Sequence, residues 1–146
     1  QRLVDTRDGT GGQQGKLIPT GQLNVPVHGQ TLSVSGNSAQ VPLSATAAAL
    51  NVTIVNPESA GFATVWPCSA ARPLASNLNF VSGQVVANNV IAPIGDQGSV
   101  CFYTNVPSDI IVDIAGYFSG EAGNQFVGST PKRYIDTRSS LGPAPE

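Results

Sequence analysis

Two stretches of the chain alternate apolar and polar residues regularly enough to predict β-strands. In "ALNVTIVNP" (49–57), Leu50, Val52 and Ile54 fall on one side and Asn51, Thr53 and Val55 on the other. In "SDIIVDIAGYF" (108–118), Ile110, Val112 and Ile114 share a face opposite Ile111, Asp113 and Ala115. Shorter apolar runs predict further strands in "GQLNVPVHG", "TLSVS", "GFATVWP", "SNLNFV", "QVVANNVIAPI" and "GSVCFYTN", each bounded by Gly, Pro, Asn, Asp or Ser. No segment shows a convincing helical period. Many short strands with Gly- and Pro-marked turns predict an all-β, antiparallel β-sandwich, with jelly-roll and immunoglobulin-like arrangements both open. "NPESAG" (56–61) and "GDQGS" (95–99) read as hairpin loops joining neighbouring strands, and the glycine-rich stretch 8–22 as an irregular surface loop.

The hexapeptide "RLVDTR" (2–7) returns as "RYIDTR" at 133–138, with Arg, Asp, Thr and Arg identical in a chain that holds five arginines. The offset is about one domain length, whereas repeats of supersecondary structure recur every 20–50 residues or so. Residues 1–132 therefore read as one complete sandwich unit, and 133–146 as the start of a following repeat or a terminal strand. Asp5 and Asp136 read as structural carboxylates, each accepting nearby backbone amides or pairing with an arginine, and Arg7 and Arg138 as structural polar residues.

Composition narrows the function. Charged residues are 11% of the chain, against the roughly 25% usual in globular domains. A net charge of −2, with its cations scattered, argues against a nucleic-acid partner. No apolar run approaches the roughly 18 residues of a membrane-spanning helix. The first residues lack the layout of a signal peptide, so an export signal, if there is one, is expected outside this sequence. With two cysteines, no CxxC and one histidine, a zinc site is unsupported, and Cys68 and Cys101 are read as a structural disulfide suited to an oxidising compartment.

The series "RLVDTRDG", "ALNVTIVNPESAGFATVWPC", "RPLASNLNFVSGQVVANNVIAPIG", "GSVCFY", "DIIVDIAGYF" and "RYIDTR" resembles, in order and over nearly the whole chain, a repeat domain of secreted actinobacterial surface proteins. That domain occurs in tandem and beside cell-wall amidases and peptidases. The resemblance implies export, repetition and a supporting or binding role, and it brings no catalytic residues.

The residues themselves offer few sites. His28 reads as a polar strand terminus, no serine lies in a GxSxG elbow, and no acidic pair is brought together by sequence, so no enzyme is expected. "DTRDGTGG" lacks the spacing of a calcium loop and carries Arg7 among the would-be ligands, so neither metal nor cofactor is expected. Asp113 stands in an apolar strand; it either pairs with Arg72 or Arg7, or faces water from an edge strand. Trp66 and Tyr103, with Asn77 and Asn79, form a candidate glycan platform. The competing reading packs Trp66 over the disulfide and has the asparagines satisfy backbone groups. The expected role is thus a non-catalytic extracellular module: a cell-surface stalk, adhesive or assembly unit with neighbouring repeats or identical subunits as partners. The alternatives are a carbohydrate-binding module that holds a linked hydrolase on cell-wall glycan, and a filament subunit joined by exchange of its terminal strand.

Overall fold

A computed structural model describes residues 1–34 and 37–120, with the side chains of Val34 and Asn37 left out. The second hexapeptide, with Asp136 and Arg138, and the expected boundary at 132 lie outside the described residues.

The described chain is all β. Its strands are β1 (Arg2–Asp5), β2 (Leu23–Pro26), β3 (Thr31–Val34), β4 (Asn37–Gln40), β5 (Ala45–Val55), β6 (Gly61–Pro67), β7 (Leu78–Phe80), β8 (Val86–Pro93), β9 (Ser99–Thr104) and β10 (Asp109–Ser119). One sheet has the order β1-β10-β5-β8 and the second β2-β9-β6-β7, with β3 and β4 forming a separate hairpin. All pairs are antiparallel. With the β3–β4 hairpin set aside, the first main strand pairs with the last, the second with the next to last, and so inward to β6 and β7. This nesting is a long antiparallel ribbon rolled into two layers, which makes the sandwich a jelly roll and not an immunoglobulin-like fold.

The nesting overturns both hairpins expected from the turns. β5 and β6, joined through "NPESAG", lie in different sheets, as do β8 and β9, joined through "GDQGS". The turn residues mark a chain reversal correctly, with Asn56 at φ 46° and Gly98 at φ 73°. A reversal, however, does not specify which layer the returning strand enters. At the second corner the Gly98 carbonyl accepts from Val27 N and His28 N at 2.8 and 3.1 Å, tying the corner to the end of β2. The His28 ring lies against Gly98, where any Cβ would come within 2.6 Å of Nδ1.

The core lies between the sheets and follows the period-two pattern. Leu50, Val52 and Ile54 of β5 and Ile110, Val112 and Ile114 of β10 face Val25 of β2, Val100 and Phe102 of β9, Val65 of β6 and Phe80 of β7, all buried. Each such side chain contributes about 1.5–3 kcal/mol on leaving water. β9 is buried at every position, on both its faces. Its outward residues, Cys101 and Tyr103, join Trp66 in a second cluster, with Phe62 and Cys68 packed against it. That cluster is covered by the segment linking β6 to β7.

Candidate functional site

The two features singled out by sequence, the hexapeptide and the aromatic–cysteine region, occupy different sheets. The hexapeptide forms a staple across β1 and β10. Arg2 and Asp113 are direct cross-strand partners. Arg2 Nε donates to Asp113 Oδ1 at 2.8 Å, and Arg2 Nη1 to Asp5 Oδ2 at 2.7 Å. Asp5 is 1% exposed. Its Oδ1 accepts from Arg7 N at 3.1 Å and Arg7 Nε at 2.9 Å, and its Oδ2 accepts from Arg7 Nη2 at 2.7 Å. The Arg7 side chain, aided by its backbone N–H and by Arg2 and opposed by burial, holds the Asp5 carboxyl down at about 2. Thr6 is fully buried; its hydroxyl donates to Asp109 Oδ1 at 3.1 Å and accepts from Ile110 N at 3.0 Å. Arg2 and Thr6 thus fasten β1 to β10, the last described strand, while Asp5 and Arg7 lock the chain as it leaves β1 and hold the Arg2 guanidinium in place.

Asp5 and Arg7 take the structural roles expected of them. Asp113 does not pair with Arg72 or Arg7; its partner is Arg2. Nor is its strand an edge, because β10 lies between β1 and β5. The register decides the pairing: an arginine opposite an aspartate in an antiparallel ladder is already within reach.

On the outer face of the second sheet, Cys68 and Cys101 form the expected disulfide, with Cα atoms 4.9 Å apart. It anchors the start of the β6–β7 segment to β9. Three more ties hold that segment down. Trp66 Nε1 donates to Ala70 O at 3.1 Å, Thr64 Oγ1 to Ala75 O at 2.8 Å, and Val65 N to Asn77 Oδ1 at 2.7 Å. Asn88 Nδ2 of β8 donates to Asn77 O at 2.6 Å, linking the roof to the other sheet.

The roof decides against a Trp66–Tyr103 platform. Trp66 is 4% exposed and packs with the disulfide, so its ring is not available to a sugar. The Tyr103 ring carries the Arg72 guanidinium, 3.6 Å from its centroid, on the face a sugar would need. Asn77 satisfies a backbone amide. Asn79 alone of the four is exposed, on β7 opposite Phe62. Beside it opens a groove of about 250 Å³ lined by Phe62, Arg72, Pro73, Leu74, Ser76 and Asn79, among others. Sequence reasoning missed Phe62 and Leu74 as groove walls, and the register opposite Asn79 is the signal that places Phe62 there.

His28 Nε2 donates to Ala45 O at 2.9 Å, which engages the ring in structure. Among the described residues no three His, Cys, Asp or Glu side chains cluster as metal ligands. No described helix is long and apolar enough to cross a membrane. Compared with protein-family models and with curated protein sequences, the chain matches none.

Proposed function

We propose that this domain is a non-catalytic building block of an extracellular, repeated surface protein, serving as a stalk, adhesive or assembly unit. The observation that carries the reading is the staple: the residues the chain writes twice are those that build the joint between β1 and β10, two by reaching across and two by bracing them. What is repeated is therefore an instruction for folding a unit, not a constellation for chemistry. The disulfide fits an oxidising compartment and so an exported protein. The likeness of the chain to the repeat domain of secreted actinobacterial surface proteins supports the same reading. Neighbouring repeats are the partners it implies.

The test is twofold. Antibodies raised against the domain should label intact, unpermeabilised cells of the source organism, and the purified protein should release no product from peptidoglycan, common polysaccharides or protein. Labelling only after permeabilisation would overturn the extracellular placement. Turnover abolished by a single Asp or Ser substitution would overturn the non-catalytic one.

A further inference from the structure

The groove at the open end of the roof combines two features of a recognition site. The first is rigidity. The segment that forms one wall is pinned by the Cys68–Cys101 disulfide and by the Trp66, Thr64 and Asn77 hydrogen bonds, yet it presents Leu74 fully to solvent and Pro73 beside it. Loops held this firmly lose little entropy when something docks on them. The second is an arginine whose planar edge is open. Arg72 lies over Tyr103 at 3.6 Å and forms no ion pair with a carboxylate among the described residues. Stacking engages the face of a guanidinium and leaves its in-plane N–H groups directed outward, the geometry that receives a carboxylate through two parallel hydrogen bonds.

We infer that this groove binds an acidic sugar residue, with the carboxylate on Arg72 and the ring against Phe62 and Pro73. The volume, about 250 Å³, lies below the roughly 300–1,000 Å³ of sites that enclose a drug-sized ligand, so the groove holds about one ring of a longer chain at a time. The lining is mostly apolar, which suits the C–H face of a pyranose. Ser76 and Asn79 on the rim supply a hydroxyl and an amide for the sugar hydroxyls. Charge selects within the class: a neutral sugar leaves the Arg72 donors to water, whereas a uronate engages them. The site is independent of whether the domain also serves as a stalk, since a spacer needs no ligand.

The experiment uses the whole 146-residue chain, labelled with nitrogen-15 and titrated with trigalacturonic acid, its methyl ester, and a short peptide ending in a free alanine carboxylate. The acid is expected to move the amide signals of Phe62, Arg72 and Asn79, and to bind at least about tenfold more tightly than the ester, a difference of roughly 1.4 kcal/mol. Arg72→Gln should remove the preference for acid over ester while the melting temperature falls by no more than about 5 °C, because an exposed stacked arginine contributes only about 0.5–1 kcal/mol. The comparison of acid with ester on the unaltered protein reads the carboxylate contact without any substitution. Equal binding of acid and ester, no saturable binding of the acid up to about 10 mM, shifts confined to another face, or tighter binding of the peptide than of the uronate would each overturn the assignment.

Discussion

Asp5→Asn isolates the charge of the staple with almost no change of volume. The carboxylate accepts three hydrogen bonds from Arg7 and one from Arg2, two of them from guanidinium nitrogens at 2.7 Å on the same Oδ2. Asparagine keeps one acceptor and turns the other oxygen into a donor that faces those donors. The magnitude follows from proton linkage. The carboxyl titrates at about 2 in the folded protein and at 3.8 unperturbed, so at neutral pH its ionised form adds about 2 kcal/mol before allowance for solvent. Because Arg2 and Arg7 have side chains 41% and 49% exposed, screening brings this to roughly 1–2 kcal/mol. In a domain of this size that corresponds to a melting temperature lower by roughly 3–10 °C. The sign with pH is fixed as well. A carboxyl whose folded value is depressed stabilises the fold above its unfolded value and loses that contribution as pH falls toward the folded value. The gap in melting temperature between wild type and Asp5→Asn should therefore be full above about pH 5, narrow between about pH 4 and 2, and close below that. Melts at half-unit pH steps measure it, and the other acids, common to both proteins, cancel in the difference. A gap that stays constant from pH 7 to 2, or is absent at pH 7, would refute the account of the staple.

Four further outcomes are expected. Thr6→Val keeps the shape but strips the Ile110 amide of its buried acceptor, which should cost about 1–3 kcal/mol in chemical denaturation, whereas Thr6→Ser should cost about 1 kcal/mol or less. Thiol titration of the denatured, unreduced protein should find no free SH, and reduction should lower stability by about 3–4 kcal/mol, the loop entropy for a separation of 33 residues. Gly11→Ala should destabilise the fold by at least about 2 kcal/mol, since Gly11 has φ 82° and a Cβ there would run into Leu3 O and approach the Val4 side chain to 2.8 Å; a melt unchanged from wild type would remove the loop after β1 from the staple. Deleting residues 133–146 should leave the melting temperature unchanged, because the staple closes within residues 2–113; unfolding on deletion would mean that the second hexapeptide is integral to this unit.

How legible all this was in the sequence depends on the kind of contact. Alternation and short apolar runs located eight of the ten described strands, most of which bury one face, because alternation records burial; β1 was marked only by the repeated hexapeptide. Alternation missed β4, "NSAQ", and the start of β5, "ATAAA", where small or polar residues leave no contrast between faces. It was silent on layer assignment, which lies in long-range pairing and not in turn chemistry, so two arches between sheets read as hairpins. The disulfide was legible because only two cysteines exist. The Arg2–Asp113 pair was not, although its signal was present: Arg2 is one of the four residues the hexapeptide keeps. The roof over Trp66 and Tyr103 left no mark, because "CSAARPLASN" reads equally well as a free loop, and only the register of β6 with β7 and β9 turns it back over the sheet.

The same geometry decides between two uses of the second hexapeptide. Beyond Asp5 itself, the staple draws on Asp109, the Ile110 amide and Asp113, all within "DIIVD", a pentapeptide that occurs once in the sequence and is already held by β1. Arg133, Asp136, Thr137 and Arg138 could make the same bonds only on a second such strand. One source is a following repeat; another is a second copy of this chain whose β1 has been displaced. Displacement exchanges like for like in the polar bonds, but it puts Tyr134 where Leu3 is 7% exposed and Ile135 where Val4 is 2% exposed. Enlarging a well-packed position costs typically about 1–3 kcal/mol, and the incoming strand also gives up the freedom of a separate molecule, which the resident strand does not. Both differences favour the resident. On these costs, trading this strand between identical copies is the disfavoured use of the second hexapeptide; the proposed arrangement of joined repeats does not incur them.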